Sequence, residues 1–350
     1  MMMDLEEARR LGGVVRIKEK IDVPEGLACA AYSLPDYRYV NGKGVYLYGL
    51  YSEGHVLFVD CGPENMTDRL WFGRIMDEMA SSPSEANLFL THYHYDHMGE
   101  SLWFNRQGVQ CLASEGSAPL ANLDPDEFNL IIGAKRGTPL DHLGAYIEFQ
   151  RNLYFLNDQV NLVGENERIT CGDWRFDTIA LPGHALGHTG LVSPDRDILF
   201  SGDCLGGGPS IFSTALDQHD GAAAIEAWSR LKSLPLRWLM TAHEGTFNDD
   251  LLIEDLIVKQ IEDLNDKGKR VLDEMRAMSG YVTPCEYVLE RKGFADVQKR
   301  ASLGKYLNAL NLEHHFACLE FLYDYEQLCR RVDDDGAVVY EAARFSSFFA

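Results

Sequence analysis

Three histidines and a carboxylate share one six-residue window, His92-Tyr93-His94-Tyr95-Asp96-His97. Neutral imidazoles and carboxylates are the ligands that divalent transition metals take. The apolar run Asn87-Leu88-Phe89-Leu90 in front of them has the pattern of a buried strand, and a helix start follows at Gly99-Glu100-Ser101. Taken alone, Asp96 reads equally well as the N-cap of that helix, and a lone histidine is usually a packed or surface residue. Packing, however, gains nothing from crowding three groups that prefer water or a partner. The spacing therefore points to a metal centre at a strand end, and a centre with open coordination positions points to catalysis.

Such a centre needs ligands from elsewhere in the chain. The stretch Leu181-Pro182-Gly183-His184-Ala185-Leu186-Gly187-His188-Thr189-Gly190 follows a strand-like segment from Trp174 to Leu181, and Pro and Gly break that strand so that His184 sits on a turn. The apolar Ile198-Leu199-Phe200-Ser201-Gly202 then delivers Asp203, and Leu236-Arg237-Trp238-Leu239-Met240 leads to His243. Singly, His184, Asp203 and His243 read as loop residues. Together they share one placement, after an apolar run and beside Gly or a polar turn, and in open α/β sheets chemistry collects outside the strand ends.

In this order the motifs resemble the metallo-β-lactamase fold hydrolases: His-x-His-x-Asp-His, then Pro-Gly-His-x-x-Gly-His-Thr, then Ser-Gly-Asp, then a last His near Gly. The segment Phe58-Val59-Asp60-Cys61-Gly62 looks like the family's early strand ending in Asp-x-Gly. The resemblance implies two metal sites, one of His92, His94 and His184 and one of Asp96, His97 and His243, with Asp203 bridging them. It also implies that Asp60 and His188 orient ligands without binding metal. The expected cofactors are two divalent ions, with zinc the default and iron or manganese compatible. Several positions depart from the family pattern. The last histidine follows Thr241-Ala242 where Pro-Gly is usual, Glu244 separates it from Gly245, and Glu100 stands where a second glycine is common. His94 is not replaced by the Glu of the di-iron oxidoreductase branch. The segment from Asp203 to His243 is too short for the large inserted domain of the nucleic-acid-processing relatives.

What this arrangement implies chemically is hydrolysis. A water shared by two cations ionises near neutral pH, and the expected step is attack of that hydroxide on a carbonyl carbon, with Asp96 as the catalytic carboxylate that holds it and carries its proton. A thiolate leaves without protonation, so thioesters suit a site with no evident general acid, ahead of esters and lactones. The family's glutathione thioesterases carry a basic stretch after the bridging Asp; Gly206-Gly207-Gly208-Pro209 has no adjacent Lys or Arg, so glutathione specificity is not expected. A metal-dependent phosphodiesterase or endoribonuclease is the alternative, and a non-catalytic ligand-binding protein with a vestigial centre a second one. The complete ligand set argues against the latter. No substrate-binding residue is assigned.

Length and composition bound the rest. A chain of 350 residues with 46% hydrophobic content permits one large α/β domain and a smaller one. The expected fold is an α/β sandwich of two sheets between helices (αββα) over residues 1–250, with a smaller helical, winged-helix-like domain over 251–350. Within the first, Val45 to Tyr51 and His55 to Asp60 read as a hairpin turning at Glu53-Gly54, and Leu70 to Met79 and Leu140 to Tyr154 as helices. Lys135, Arg136 and Arg151 read as a solvated face, or as contacts to an anionic substrate group, and Gly206 to Ser210 as a turn or lid. Within the second, Ile253 to Met278, Pro284 to Lys292 and Leu303 to Tyr325 read as helices, and Cys329 to Val332 and Ala337 to Glu341 as a hairpin with Asp-Gly in its turn. A similar C-terminal unit occurs in the family branch that includes the lactamase-like endoribonuclease. This one carries thirteen basic and eighteen acidic residues, where a nucleic-acid surface would be basic, so it reads as a structural cap or homodimer element. The net charge of −22 likewise favours a small-molecule substrate over nucleic acid. Apolar runs are too short to span a membrane. The acidic start, Met1 to Glu7, lacks a signal-peptide core. Eight scattered cysteines without a Cys-x-x-Cys pair read as reduced thiols of a cytoplasmic protein, and Cys204, beside Asp203, as a core thiol.

Overall fold

The computed structural model describes residues 16–21, 28–35, 44–62, 85–117, 160–205, 221–284, 286–287 and 318–343. Two sheets face one another. The first has the order β1 (Arg16–Ile21), β2 (Ala28–Pro35), β3 (Gly44–Ser52), β4 (His55–Val59), β5 (Glu85–Leu90), β6 (Gln110–Ser114) and β7 (Val160–Val163). It is antiparallel from β1 to β4 and parallel from β4 to β7. The second runs β13 (Gly245–Phe247), β12 (Trp238–Thr241), β11 (Ile198–Gly202), β10 (Thr189–Val192), β9 (Trp174–Ala180) and β8 (Arg168–Cys171), with β11 and β12 parallel and the other pairs antiparallel. The metallo-β-lactamase architecture expected from the motifs is the one observed.

The apolar runs are long because both faces of these strands are buried. In β4, Leu57 and Val59 point into the space between the sheets, where they meet Phe89, Phe176, Phe200 and Met240. The alternate residues Val56 and Phe58 point outward and pack with Leu88, Leu90 and Phe104, the last carried by the short helix α2 (Ser101–Arg106) that follows the single turn α1 (Tyr95–Met98). β11 and β12 repeat the pattern: Phe200 and Met240 face the other sheet, while Leu199 and Leu239 face Ala224, Trp228 and Leu231 of helix α3 (Gly221–Lys232). Period-two alternation with no polar face is what a sheet covered on both sides requires.

The 53–54 turn joins β3 to β4 in the expected place. The long C-terminal helix, α4, spans Asp250–Ala277 and begins three residues before the expected Ile253. The reason is a cap: the Asp249 carboxylate accepts from the backbone N–H of Leu251 and Leu252 at 3.0 and 3.1 Å, satisfying donors that a helix start otherwise leaves open. Residues 318–324 are helical, and β14 (Leu328–Val332) and β15 (Val338–Ala342) form the antiparallel hairpin over Asp333 to Gly336. Ile257, Leu264, Leu272, Phe321 and Tyr340 share one core with Leu199 and Trp228. The expected helices Leu70–Met79, Leu140–Tyr154 and most of Pro284–Lys292 and Leu303–Tyr325 lie outside the described residues, as do Lys135, Arg136, Arg151 and the segment Gly206 to Ser210. Among the described residues no helix is long and apolar enough to cross a membrane. The described cysteines Cys61, Cys111, Cys171, Cys204 and Cys318 are buried free thiols and Cys329 is an exposed one.

Candidate metal centre

Four strands end at one rim. β4 ends at Asp60, β5 at the His92 to His97 stretch, β11 at Asp203, and β12 in the turn that holds His243; β9 leads into the loop bearing His184 and His188. The sheets are stitched here by backbone hydrogen bonds, from Thr189 N to Thr91 O at 2.9 Å and from Tyr46 N to Ala242 O at 2.6 Å. Gly202, with φ +51°, lets the strands close up: a Cβ on it would lie 2.7 Å from Thr91 Oγ1 and 2.9 Å from His188 Nε2.

The seven expected ligand side chains come together in two neighbouring groups, His92, His94, His184 and Asp203, and Asp96, His97 and His243; within each, the donor atoms lie within 4.8 Å of one another. His184 Nε2 is 2.9 Å from His94 Nδ1. Asp203 lies between the groups, with Oδ2 3.3 Å from both His184 Nε2 and His243 Nε2, and Oδ1 3.3 Å from His97 Nε2. Asp96 Oδ2 is 3.3 Å from His243 Nε2 and 3.4 Å from His97 Nε2. It therefore faces the cluster and is not acting as a backbone cap.

The supporting residues fix which nitrogen faces inward. Asp60 Oδ2 is 2.8 Å from His97 Nδ1, so the ring donates there and presents Nε2 to the cluster. Asp60 is itself held by the Thr91 backbone N–H at 2.8 Å and by the Thr91 hydroxyl. The same hydroxyl oxygen is 3.1 Å from His92 Nδ1, which leaves His92 Nε2 for the cluster. Thr91 thus orients two imidazoles; the sequence reading assigned it no role. Its only advance signal is its position, between an apolar strand and the first histidine. His188 Nε2 accepts the Asp203 backbone N–H at 3.2 Å, so His188 holds Asp203 through its main chain.

The electrostatics follow from burial and crowding. Burial first, then the neighbouring imidazoles, holds His92 and His188 well below the ordinary histidine value, and takes His94 down to about 3 despite Asp96 and Asp203. Burial works the same way on His243 and His97, but the carboxylates win: Asp203 and Asp96 push His243 up to about 10, and Asp203, Asp96 and Asp60 raise His97. Asp96 and Asp203 are themselves held well below the usual carboxylate range, since the surrounding imidazoles outweigh the opposing effect of burial.

Whether this set suits a cation is decided by its polar atoms. His92 Nε2, His97 Nε2, Asp96 Oδ2 and Asp203 Oδ1 are all buried without a hydrogen bond, a condition that costs about 1–3 kcal/mol per group, and more for charged ones. All four aim into the cluster. Divalent metals accept this donor set, imidazole nitrogens and carboxylate oxygens, so the residues fit the expected ions. Two outcomes are expected. Asp60→Ala should weaken metal affinity by about 10–100-fold, the usual cost of losing an outer hydrogen bond to a ligand, read by competition with a chromophoric chelator. Loading at pH 7.5 should release about two protons beyond the one lost by the ionised water, one each from His97 and His243, because their carboxylate neighbours keep both rings protonated until a cation displaces the proton. Calorimetric titration in buffers of different ionisation enthalpy counts them, and a release near zero would contradict this assignment of charge.

Residues 42–243 match the family model of the metallo-beta-lactamase superfamily. A hydroxyacylglutathione hydrolase from Bdellovibrio bacteriovorus is 37% identical over 86 residues, 23% of this chain, and the match spans only 32% of that relative's length. Among solved structures, a beta-lactamase domain protein from Burkholderia ambifaria aligns with a TM-score of 0.66 at 19% identity, over 93% of this chain and 94% of that one. A metallo-beta-lactamase family protein from Thermus thermophilus aligns with a TM-score of 0.65 at 19% identity, over 91% and 99% respectively. At such identities the two structures speak for the fold.

Proposed function

The chain belongs to the metallo-β-lactamase superfamily, and on that premise we propose that it is a dinuclear metal-dependent hydrolase of small-molecule thioesters, with esters and lactones as the neighbouring substrates. The observation that carries this reading is the convergence of seven donor side chains from separate stretches of the chain onto one rim. His92, His94 and His184 would hold one divalent ion, Asp96, His97 and His243 the other, and Asp203 both. Such ions, zinc by default, supply an ionised water at neutral pH and a Lewis acid for the scissile carbonyl.

The protein's part is positioning and proton handling. Asp60 and Thr91 hold His97 and His92 in the required tautomers, and His188 anchors Asp203. Against the opposing effect of burial, His97 and His243 hold the Asp96 carboxyl well below the usual carboxylate range, and that carboxylate would orient the attacking water and take up its proton. Besides the ligand side chains, the described acid–base groups Asp60 and His188 at the rim are engaged in holding His97 and Asp203. A leaving group that departs as a stable anion suits such a site, which places thioesters first. The net charge of −22 disfavours polyanionic substrates. Residues 251–350 are read as a winged-helix-like cap or a homodimer element, of which the described Ile257, Leu264, Phe321 and Tyr340 share a core with Leu199 and Leu239 of the second sheet.

The test is a panel of thioesters, lactones and bis-aryl phosphates assayed with and without chelator. Chelator-sensitive turnover, highest on thioesters, is the expected result. Turnover confined to the phosphodiesters would overturn the substrate class.

A further inference from the structure

The turn carrying His243 is bound from the opposite sheet. The Tyr48 hydroxyl, on β3, donates to Thr241 O at 2.6 Å and also reaches Gly245 O at 3.3 Å. Two residues earlier on the same strand, Tyr46 N donates to Ala242 O at 2.6 Å. Inside the turn, Thr241 Oγ1 donates to Gly245 O and accepts from Glu244 N, both at 3.0 Å. Ala242 N donates to Gly202 O at 3.1 Å, immediately before Asp203. The backbone on both sides of His243 is thereby tied down. Tyr48 is 3% exposed and stands edge-on to Phe200 with ring centroids 5.5 Å apart, so packing aims its hydroxyl.

His243 has particular need of such ties. Its side chain is 17% exposed, against 0% for His92 and His97, 2% for Asp96, 4% for His184 and 8% for Asp203. The other side chains are more deeply buried than that of His243, which sits at the edge of the cluster on the turn that these bonds tie down. This is also where the chain carries Thr241-Ala242 and not Pro-Gly before the histidine, so the turn lacks the stiffness a proline confers.

We propose that Tyr48 is a positioning residue for the cation held by Asp96, His97 and His243, latching the His243 turn across the sheet interface, with Thr241 completing the latch from within. The proposal rests on the dinuclear reading above. Losing one oriented hydrogen bond behind a metal ligand weakens that metal's affinity by about 10–100-fold, and only one of the two ions depends on His243.

The experiment titrates demetallated wild type, Tyr48→Phe, Thr241→Val and Ser193→Ala with cobalt(II). Uptake is followed by chelator competition and by d–d absorption, and thermal unfolding is measured on the same metal-free proteins. Ser193 is a buried hydroxyl bonded to Asp197 and to Ile198 N at the far end of the β10–β11 hairpin. Ser193→Ala thus reports the cost of losing a buried hydroxyl while leaving the His243 turn alone. The expected result is that Tyr48→Phe and Thr241→Val weaken the second equivalent of cobalt by about 10–100-fold and leave the first unchanged, while Ser193→Ala shifts neither. Two tight equivalents in Tyr48→Phe, or the same weakening in Ser193→Ala, would overturn the role of Tyr48. Wild type that takes up fewer than two equivalents would instead overturn the dinuclear reading, and the positioning role with it.

Discussion

Asp203→Asn is expected to abolish metal binding and turnover together, with kcat/KM falling by at least about a thousandfold, the several kcal/mol that charge stabilisation at a metal centre supplies. The side chain keeps its shape and loses its charge. That charge sits among four imidazoles, with His184, His243 and His97 nitrogens at 3.3 Å and His92 Nε2 at 4.0 Å. Asp203 has imidazole nitrogens of both groups within 4.0 Å, whereas Asp96 lies this close only to those of His97 and His243. An amide would put a neutral oxygen, and an N–H with nothing to accept it, where two cations need an anion between them. Steady-state kinetics and metal analysis of the same preparation check this. If the Asp203→Asn variant keeps both ions, or more than about a tenth of the activity where a drop of several kcal/mol is expected, Asp203 does not bridge.

Gly187→Ala is expected to destabilise the metal-free protein by about 2–5 kcal/mol, from about 1–2 for a left-handed backbone and about 1–3 for overpacking. Gly187 has φ +68°, and a Cβ on it would lie 2.3 Å from Ser117 N and 2.4 Å from Gly116 C. These are backbone atoms that cannot swing aside. The loop pressed against them carries His184 and His188. The loop must either lift off the Glu115–Ser117 turn, taking His184 away from His94, or accept the clash. For a chain of this size the loss corresponds to a Tm lowered by roughly 3–7 °C, measurable by calorimetry on the metal-free protein. An unchanged Tm would mean that the loop is not clamped as described.

Chemistry and burial leave local marks in the sequence. The runs before Asp60, His92, Asp203 and His243 are apolar on consecutive residues because they are covered on both faces, and the residues after them are of types that packing alone would not place together. The helix α4 was legible from its periodicity, its start less so: the capping role of Asp249 shows only in the bonds to Leu251 and Leu252. Tyr48 was legible as a strand residue and nothing more. A tyrosine in an apolar strand is ordinary core material, and a bond across 193 residues of chain leaves no periodic trace. Gly187 belonged to a recognisable motif, yet the reason it must be glycine is a contact with Gly116, remote in sequence and unremarked there. Long-range hydrogen bonds and backbone-on-backbone packing are properties of the assembled rim.

Anomalous scattering from crystals of the protein loaded with zinc or cobalt tests the central claim most directly. Two peaks are expected, one among His92, His94 and His184 and one among Asp96, His97 and His243, with Asp203 between them. A single peak, or ions bound away from these residues, would contradict it.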